Sequence, residues 1–582
     1  MAAVFDSLFF NRFVERARSY WGAAQAGSVS EALASVLGLV LLCQTRRDLL
    51  LVTFLVFGDI SFAFDCVSRD DMRLAAFRAG ITGSAWYIID DLLSMDHARI
   101  CLGGLISDAF QLDGGIAQGR KISTLLFNGP MRFLYDLLTA NRCGVQFETS
   151  RIVASQYIDD IAAPADSHSQ CCRVIKSFEE FTTSYFDSEA PSVSSYTYLG
   201  VLLDSNLCFQ PALQRILAIG YDAIESYLGA LSSVGLPMPF QAMYVPSRVA
   251  SQLLYGVEFC ICVESAETQL NRMQAHWAKR ILGIHSLRQG AWAIVTTECG
   301  WSLRLGTEML LRAIMLKARC RLLHTGHLVR ILLDAYSSHC GTTWLACVKS
   351  IQQRRDFPRE IPDITDVFEK DLLDTATTNK PSRKRLLRIY RQRYVLPTLK
   401  EYDIAAFSRV SSNSKWPYSI FEPIPSPLPP LLLQLPWSQD TWAHYRTWAC
   451  VRAMGRWPLV LYHAGDLPRL LPVCPLCGRP GVDIRHALQF CPGTYQFFVS
   501  WALVIGYDPA ERQTLPWSLF KLDIFGGRLG NRTCNPIIAQ ARIHFVGQVV
   551  AAVAGALGCA AHVPDPIEEA LQVALQEALQ EE

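Results

Sequence analysis

The amino-acid sequence predicts an α+β fold spread over several domains. Three observations carry this. Strand-like and helix-like segments alternate through the first two hundred residues, a stretch rich in Leu, Ala and Arg with few breakers runs from 206 to about 350, and a compact Cys/His cluster lies near the C-terminal end. At 582 residues the chain is too long for one core. Half of it is apolar and only 18% is charged, the composition of a folded protein.

The first twenty residues carry Asp6 and Glu15 among their arginines and read as an amphipathic helix rather than a signal peptide. The most apolar stretch, Leu33 to Phe57, is interrupted by Gln44-Thr45-Arg46-Arg47-Asp48, leaving pieces shorter than the ~20 residues a membrane span needs. Leu49 to Ile60 predicts a central strand buried on both faces and ending at Gly58-Asp59. Helical spacing follows at Asp70 to Ala79 and at Ser84 to Leu93. Gly144 to Glu148 and Arg151 to Tyr157 then predict a strand pair turning at Thr149-Ser150.

Further on, residues 379–400 crowd Lys380, Arg383, Lys384, Arg385, Arg388, Arg391 and Arg393 together before any acid appears. Pro423 to Pro436 reads as a semi-rigid linker, and Asp565-Pro566-Ile567-Glu568 as the start of a last helix. The expected divisions are 1–205, 206–350, 351–440 and 441–582. A formal charge of +1 means that a nucleic-acid partner has to be argued from local patches. The 19 cysteines are scattered, without a short disulfide framework, which fits a reducing compartment.

Two groups of carboxylates stand at strand ends: Asp59, and the pair in Tyr157-Ile158-Asp159-Asp160. Adjacent carboxylates repel unless a cation sits between them, and hard oxygen ligands favour Mg²⁺. Taken singly, each is better read as an Asp capping a turn. Between them lies Gly114-Gly115-Ile116-Ala117-Gln118-Gly119, followed by Ser123 and Leu125-Leu126-Phe127-Asn128. Alone, this is a glycine turn into a core helix, or a place where backbone approaches a flat or phosphorylated partner.

The order of these segments decides between the readings. Asp59 with Phe64-Asp65, then the Gln118-Gly119 segment, then Tyr157-Ile158-Asp159-Asp160, then Tyr198-Leu199-Gly200 resembles the succession DxxxAFD, GxxQGxxxSPLLFN, YADD and YLG in reverse transcriptases of non-LTR (LINE-type) retrotransposons. That resemblance implies a right-hand polymerase palm followed by a helical thumb. It implies an RNA template, a DNA primer, dNTPs and two Mg²⁺ held by Asp59, Asp159 and Asp160. It places Phe64, Gln118, Gly119 and Tyr157 beside the nucleotide and the primer end, and makes Tyr198, Leu199 and Gly200 a primer grip.

Cys474-x2-Cys477-x8-His486-x4-Cys491 has the ligand set of a tetrahedral structural Zn²⁺ site and resembles the Cys/His cluster C-terminal to the polymerase in the same family. Arg383, Lys384, Arg385, Arg388 and Arg391 are expected to track a phosphate backbone, with Tyr390 and Tyr394 available for stacking. Intracellular residence, in nucleus or cytoplasm, follows from this reading. The sequence also departs from the family pattern. Only 58 residues precede Asp59, Phe62 replaces the usual lysine, Thr124 replaces the usual proline, and Asp160 to Tyr196 is short. A truncated element is therefore expected, and two readings stay open: a working RNA-directed DNA polymerase, or a catalytically impaired remnant that binds nucleic acid. A metal-dependent hydrolase, lacking any further motif, ranks below both.

Overall fold

The computed structural model describes residues 29–60, 63–94, 97–111, 114–116, 121–147, 150–182, 192–233, 238–281, 299, 301, 303–323, 327–335, 343–368, 383–412, 444–445, 447–448, 471–514 and 536–556. Among them helix predominates, with small antiparallel sheets, so the mixed α+β expectation holds. By backbone proximity the chain divides into two compact units. One comprises Met1–Pro211, Met315–Lys349 and Asp363–Arg383, and the other Ala212–Ile314, Ser350–Pro362 and Lys384–Glu582. The segments read as an N-terminal amphipathic helix, a Pro-rich linker and a last helix at Asp565 all lie outside the described residues.

In the first unit, α1 (Val29–Asp48) ends in Arg46 and Arg47 and leads through a loop to β1 (Phe54–Gly58). The short α2 (Ala63–Cys66) and then α3 (Arg69–Arg78) and α4 (Ser84–Ser94) follow. Ser68 caps α3 by accepting from the Asp71 N–H. Two small ladders, β2 (His97–Ala98) with β5 (Phe110–Gln111) and β3 (Cys101–Leu102) with β4 (Leu105–Ile106), precede α5 (Lys121–Ala140). Next come β6 (Val145–Phe147), β7 (Ser150–Ile152), β8 (Ser155–Tyr157), β9 (Asp160–Ala165), α6 (His168–Thr182), β10 (Ser195–Tyr198) and β11 (Val201–Asp204).

The principal sheet has the order β1-β9-β8, all antiparallel. This corrects two expectations. Leu49 to Ile60 is not a central strand: Leu50 is 93% exposed, the strand is only Phe54–Gly58, and it flanks β9. The local cause is Arg46, which bonds Thr53 Oγ1 and the Val52 carbonyl and so draws residues 52 and 53 into a loop. Nor is Arg151 to Tyr157 one strand. It splits into β7, paired with β6, and β8, which turns back into the unforeseen β9.

The buried centre of the sheet is thus the alanine-rich β9, whose small side chains admit α6 closely. Pro164 is tolerated there because β8 reaches only to Ala162, so one flank of β9 is already open at the proline. Phe127, Met131, Leu134 and Leu138 of α5 join Ile161, Ala163 and Val174 in one core, and α3, α4 and the start of α5 enclose a second.

The second unit is helical, as expected for the region after residue 206. It includes α7 (Gln210–Ser233), α8 (Met238–Val245), α9 (Ala266–Ile281) and most of α10 (Leu305–Arg321). Trp277, fully buried, donates to the Gly220 carbonyl at 2.8 Å. A half-buried ionic network ties Arg304 and Thr307 to Asp403, and Arg354 and Tyr402 to Glu267. No helix among the described residues is long and apolar enough to cross a membrane.

Candidate active site and metal centre

Asp59 and the Asp159-Asp160 pair, a hundred residues apart in sequence, gather at one end of the principal sheet. Asp59 follows the last residue of β1, and Gly58 lies opposite Ile161 in the register, so Asp59 comes level with Asp160. Tyr157 pairs with Asp160 across a two-residue turn made of Ile158 and Asp159. Ile158 has φ +60°, a left-handed conformation that costs a β-branched residue about 1–3 kcal/mol. Strain is therefore held at the turn that carries the Asp pair.

Asp59 is exposed, while Asp159 and Asp160 are half-buried. Burial, followed by the charge of Asp59, raises the Asp159 carboxyl above the usual range, although its own and the next backbone N–H partly offset this. Asp160 is pushed up to about 6, by burial first and then by Asp159 and Asp59. Among the described residues no cation contributes to the shift of either carboxyl.

The surrounding elements are built against it. Phe64, on α2, stacks on Phe127 at 5.0 Å. Its carbonyl accepts from the Ile116 N–H at 2.7 Å, and Arg69 donates to the carbonyls of Gly114 and Gly115. Gly115 has φ +72°, and a Cβ there would lie 2.5 Å from the Asp65 carbonyl oxygen, so only glycine lets this strap lie down. The strap leads to Gln118 and Gly119, which themselves lie outside the described residues. Tyr157 is half-buried in β8 beside the turn.

Tyr198 is buried, donates its hydroxyl to the Ser155 carbonyl at 3.2 Å, and stands over Phe57 of β1. Leu199 and Gly200, both at positive φ, form the tight turn between β10 and β11. Sequence reasoning passed over Tyr196. It stacks on Phe57 at 4.3 Å, and its phenol is raised by burial and by the charges of Asp59 and Asp160. The signal was present in the Tyr-x-Tyr alternation, which puts both rings on one face of β10.

Of the described residues, only one group brings three or more potential metal ligands within 4.8 Å of one another: Cys474, Cys477, His486 and Cys491. The three carboxylates are spread more widely. The hairpin of β12 (Leu471–Val473) and β13 (Pro480–Val482) presents the first two thiols, and the Gly478 N–H returns to the Cys474 carbonyl at 2.8 Å. A π-helical turn (His486–Phe490) delivers the imidazole and ends at Cys491; the His486 backbone N–H donates to the Asp483 carboxylate at 3.0 Å. The Cys474 and Cys491 sulfurs are 3.7 Å apart, and Cys477 Sγ is 3.2 Å from His486 Nε2. Burial first, and then Arg479, lowers the His486 imidazole, favouring the neutral form that ligates metal. These four side chains could hold a metal ion such as zinc. Beneath them lies the buried Arg512, for which the sequence offered no signal.

The basic run forms α11 (Arg383–Tyr390) continuing through a π-helical stretch (Arg391–Val395) into α12 (Leu396–Ser412). Arg383, Lys384, Arg385, Arg388 and Arg391 are all exposed. Tyr390 corrects the expectation of a stacking residue: it is 1% exposed and donates its hydroxyl to the Pro362 carbonyl at 2.7 Å. The helix turns its apolar stripe of Leu386 and Tyr390 inward, and only Tyr394 stays half-exposed.

No protein-family model matches the chain, and comparison with curated proteins finds no match.

Proposed function

We propose that the chain is an RNA-directed DNA polymerase of the non-LTR retrotransposon type, with the first unit as palm, helices of the second as thumb and the Cys/His group as a zinc knuckle. The supporting observation is the gathering of Asp59, Asp159 and Asp160 at one sheet end, where burial and neighbouring charge oppose the ionisation of Asp159 and Asp160. Such a donor set suits hard divalent cations. Asp59, Asp159 and Asp160 would hold two Mg²⁺, which activate the attacking 3′-hydroxyl and steady the leaving pyrophosphate.

The chain's own residues do the rest. Phe64, fixed by its stack on Phe127, supplies an aromatic wall against the sugar of an incoming dNTP. The strap at 114–116 anchors the approach to Gln118 and Gly119 for nucleotide contact. Phe57, Tyr196 and Tyr198 make a rigid support beneath the hairpin turn Leu199-Gly200, suited to hold a primer end. Arg383, Lys384, Arg385, Arg388 and Arg391 contact phosphates of the RNA template or DNA primer.

Primer extension on an RNA template with dNTPs and Mg²⁺ tests this. The expected result is extension by the native chain that disappears in Asp159→Asn and Asp160→Asn while RNA binding persists. Native protein that binds RNA but never extends a primer would replace the polymerase by its alternative, a nucleic-acid-binding remnant.

A further inference from the structure

Arg512 lies in a 3₁₀ turn (Pro509–Gln513) and is 3% exposed. Its guanidinium donates to four oxygens: the Cys491 carbonyl at 3.1 Å, the Leu488 carbonyl at 2.9 Å, the Ala487 carbonyl at 3.4 Å and Thr494 Oγ1 at 2.8 Å. Thr494 in turn donates to the Ala487 and Cys491 carbonyls. The Phe498 ring lies 4.9 Å from the guanidinium carbon. All these acceptors are neutral, and among the described residues no carboxylate forms an ion pair with Arg512. A buried cation with only dipoles around it carries a large desolvation cost that hydrogen bonds alone offset poorly.

The carbonyls it grips all belong to residues 487–491, the segment between the His486 and Cys491 ligand positions and including the latter. The guanidinium adjoins the ligand cluster directly, since Cys491, a ligand position, accepts from it through its carbonyl at 3.1 Å. Three thiolates and a neutral imidazole around a divalent cation leave a net charge of minus one. That charge is equal and opposite to the guanidinium's.

We propose that Arg512 is the counter-ion of a metal–thiolate centre formed by Cys474, Cys477, His486 and Cys491. The inference rests on the zinc reading of that cluster. It makes Arg512 a positioning residue with two functions, holding the carbonyl segment between two ligands and neutralising the loaded centre. With the metal gone and the thiols protonated, the buried cation has no partner, so metal and guanidinium stabilise each other.

The experiment measures zinc affinity of the full chain by competition with a chromogenic chelator, and follows the thiolate-to-metal absorption of the cobalt-loaded protein. Arg512→Met is expected to weaken zinc binding about 10- to 100-fold, as loss of a residue supporting metal ligands does. Arg512→Lys, which keeps the charge, is expected to retain most of the affinity. Binding by Arg512→Met equal to the native chain overturns the proposal, and so does an equal loss in both variants. If Arg512→Met does not fold, adding Cys477→His removes the opposite charge and keeps four ligands. Recovered metal binding in that double variant supports the pairing, and no recovery overturns it. A native chain that binds neither zinc nor cobalt overturns the metal reading and the counter-ion together, which separates the two failures.

Discussion

Asp160 is the residue at which electrostatics and stability meet most directly. Its carboxyl is pushed up to about 6, so ionising it in the folded, metal-free protein works against folding. The penalty is absent below the ordinary carboxylate range, grows between about pH 4 and pH 6, and is complete above that. Asp160→Asn should therefore be more stable than the native chain at pH 7 in chelator. The gain should be about 1–2 kcal/mol, allowing for solvent around a half-exposed group, and should vanish near pH 4. Urea denaturation at both pH values checks this, and a gain independent of pH would disprove it. Tyr198→Phe is expected to cost about 1–3 kcal/mol, because the Ser155 carbonyl loses its buried donor.

At the scale of elements, the strap at 114–116 shows how a backbone bond to the Phe64 carbonyl and the Arg69 guanidinium together secure the neighbourhood of Phe64. Gly115→Ala places a Cβ 2.5 Å from one carbonyl oxygen and 2.6 Å from another, in a left-handed conformation. The expected cost is about 2–4 kcal/mol, combining overpacking with backbone strain. Thermal denaturation reads the stability, and nucleotide KM should rise more than primer binding weakens. The strands carry a complementary lesson. Alternation and apolar runs located β1 and part of the β8–β9 hairpin but not their order. The alanines of β9 lack the β-branched signature of a buried strand and owe their burial to α6 packed above them.

For the molecule as a whole, the second unit brings the four metal-ligand candidates together. Cys474 and Cys491 are buried, 1% and 0% exposed. Chelation of bound metal should therefore expose both to a thiol-alkylating reagent, and added zinc should restore protection; mass spectrometry of the labelled peptides reads this. Thiols that stay protected after chelation would argue against a metal-dependent fold there. The exposed arginines of α11 and of the π-helical stretch that continues it make a separate prediction. Arg388→Gln and Arg391→Gln should each lower the slope of log affinity for single-stranded RNA against log salt by about 0.7, if each meets one phosphate. An unchanged slope would remove that helix from the nucleic-acid surface.

The sequence by itself determined the mixed α+β class, the helices α3 and α4, the identity and spacing of the Cys/His cluster, and the residues to examine at the two strand ends. These are legible because they depend on periodicity and local spacing, which neighbouring residues settle. Tertiary structure alone decided that β9 is central and β1 flanking, that Tyr390 is buried while the arginines beside it are not, and that Tyr196 stands near Asp59 and Asp160. It alone set Arg512 behind Cys491. Each of those depends on contacts across tens or hundreds of residues, where burial comes from packing partners that no local pattern specifies.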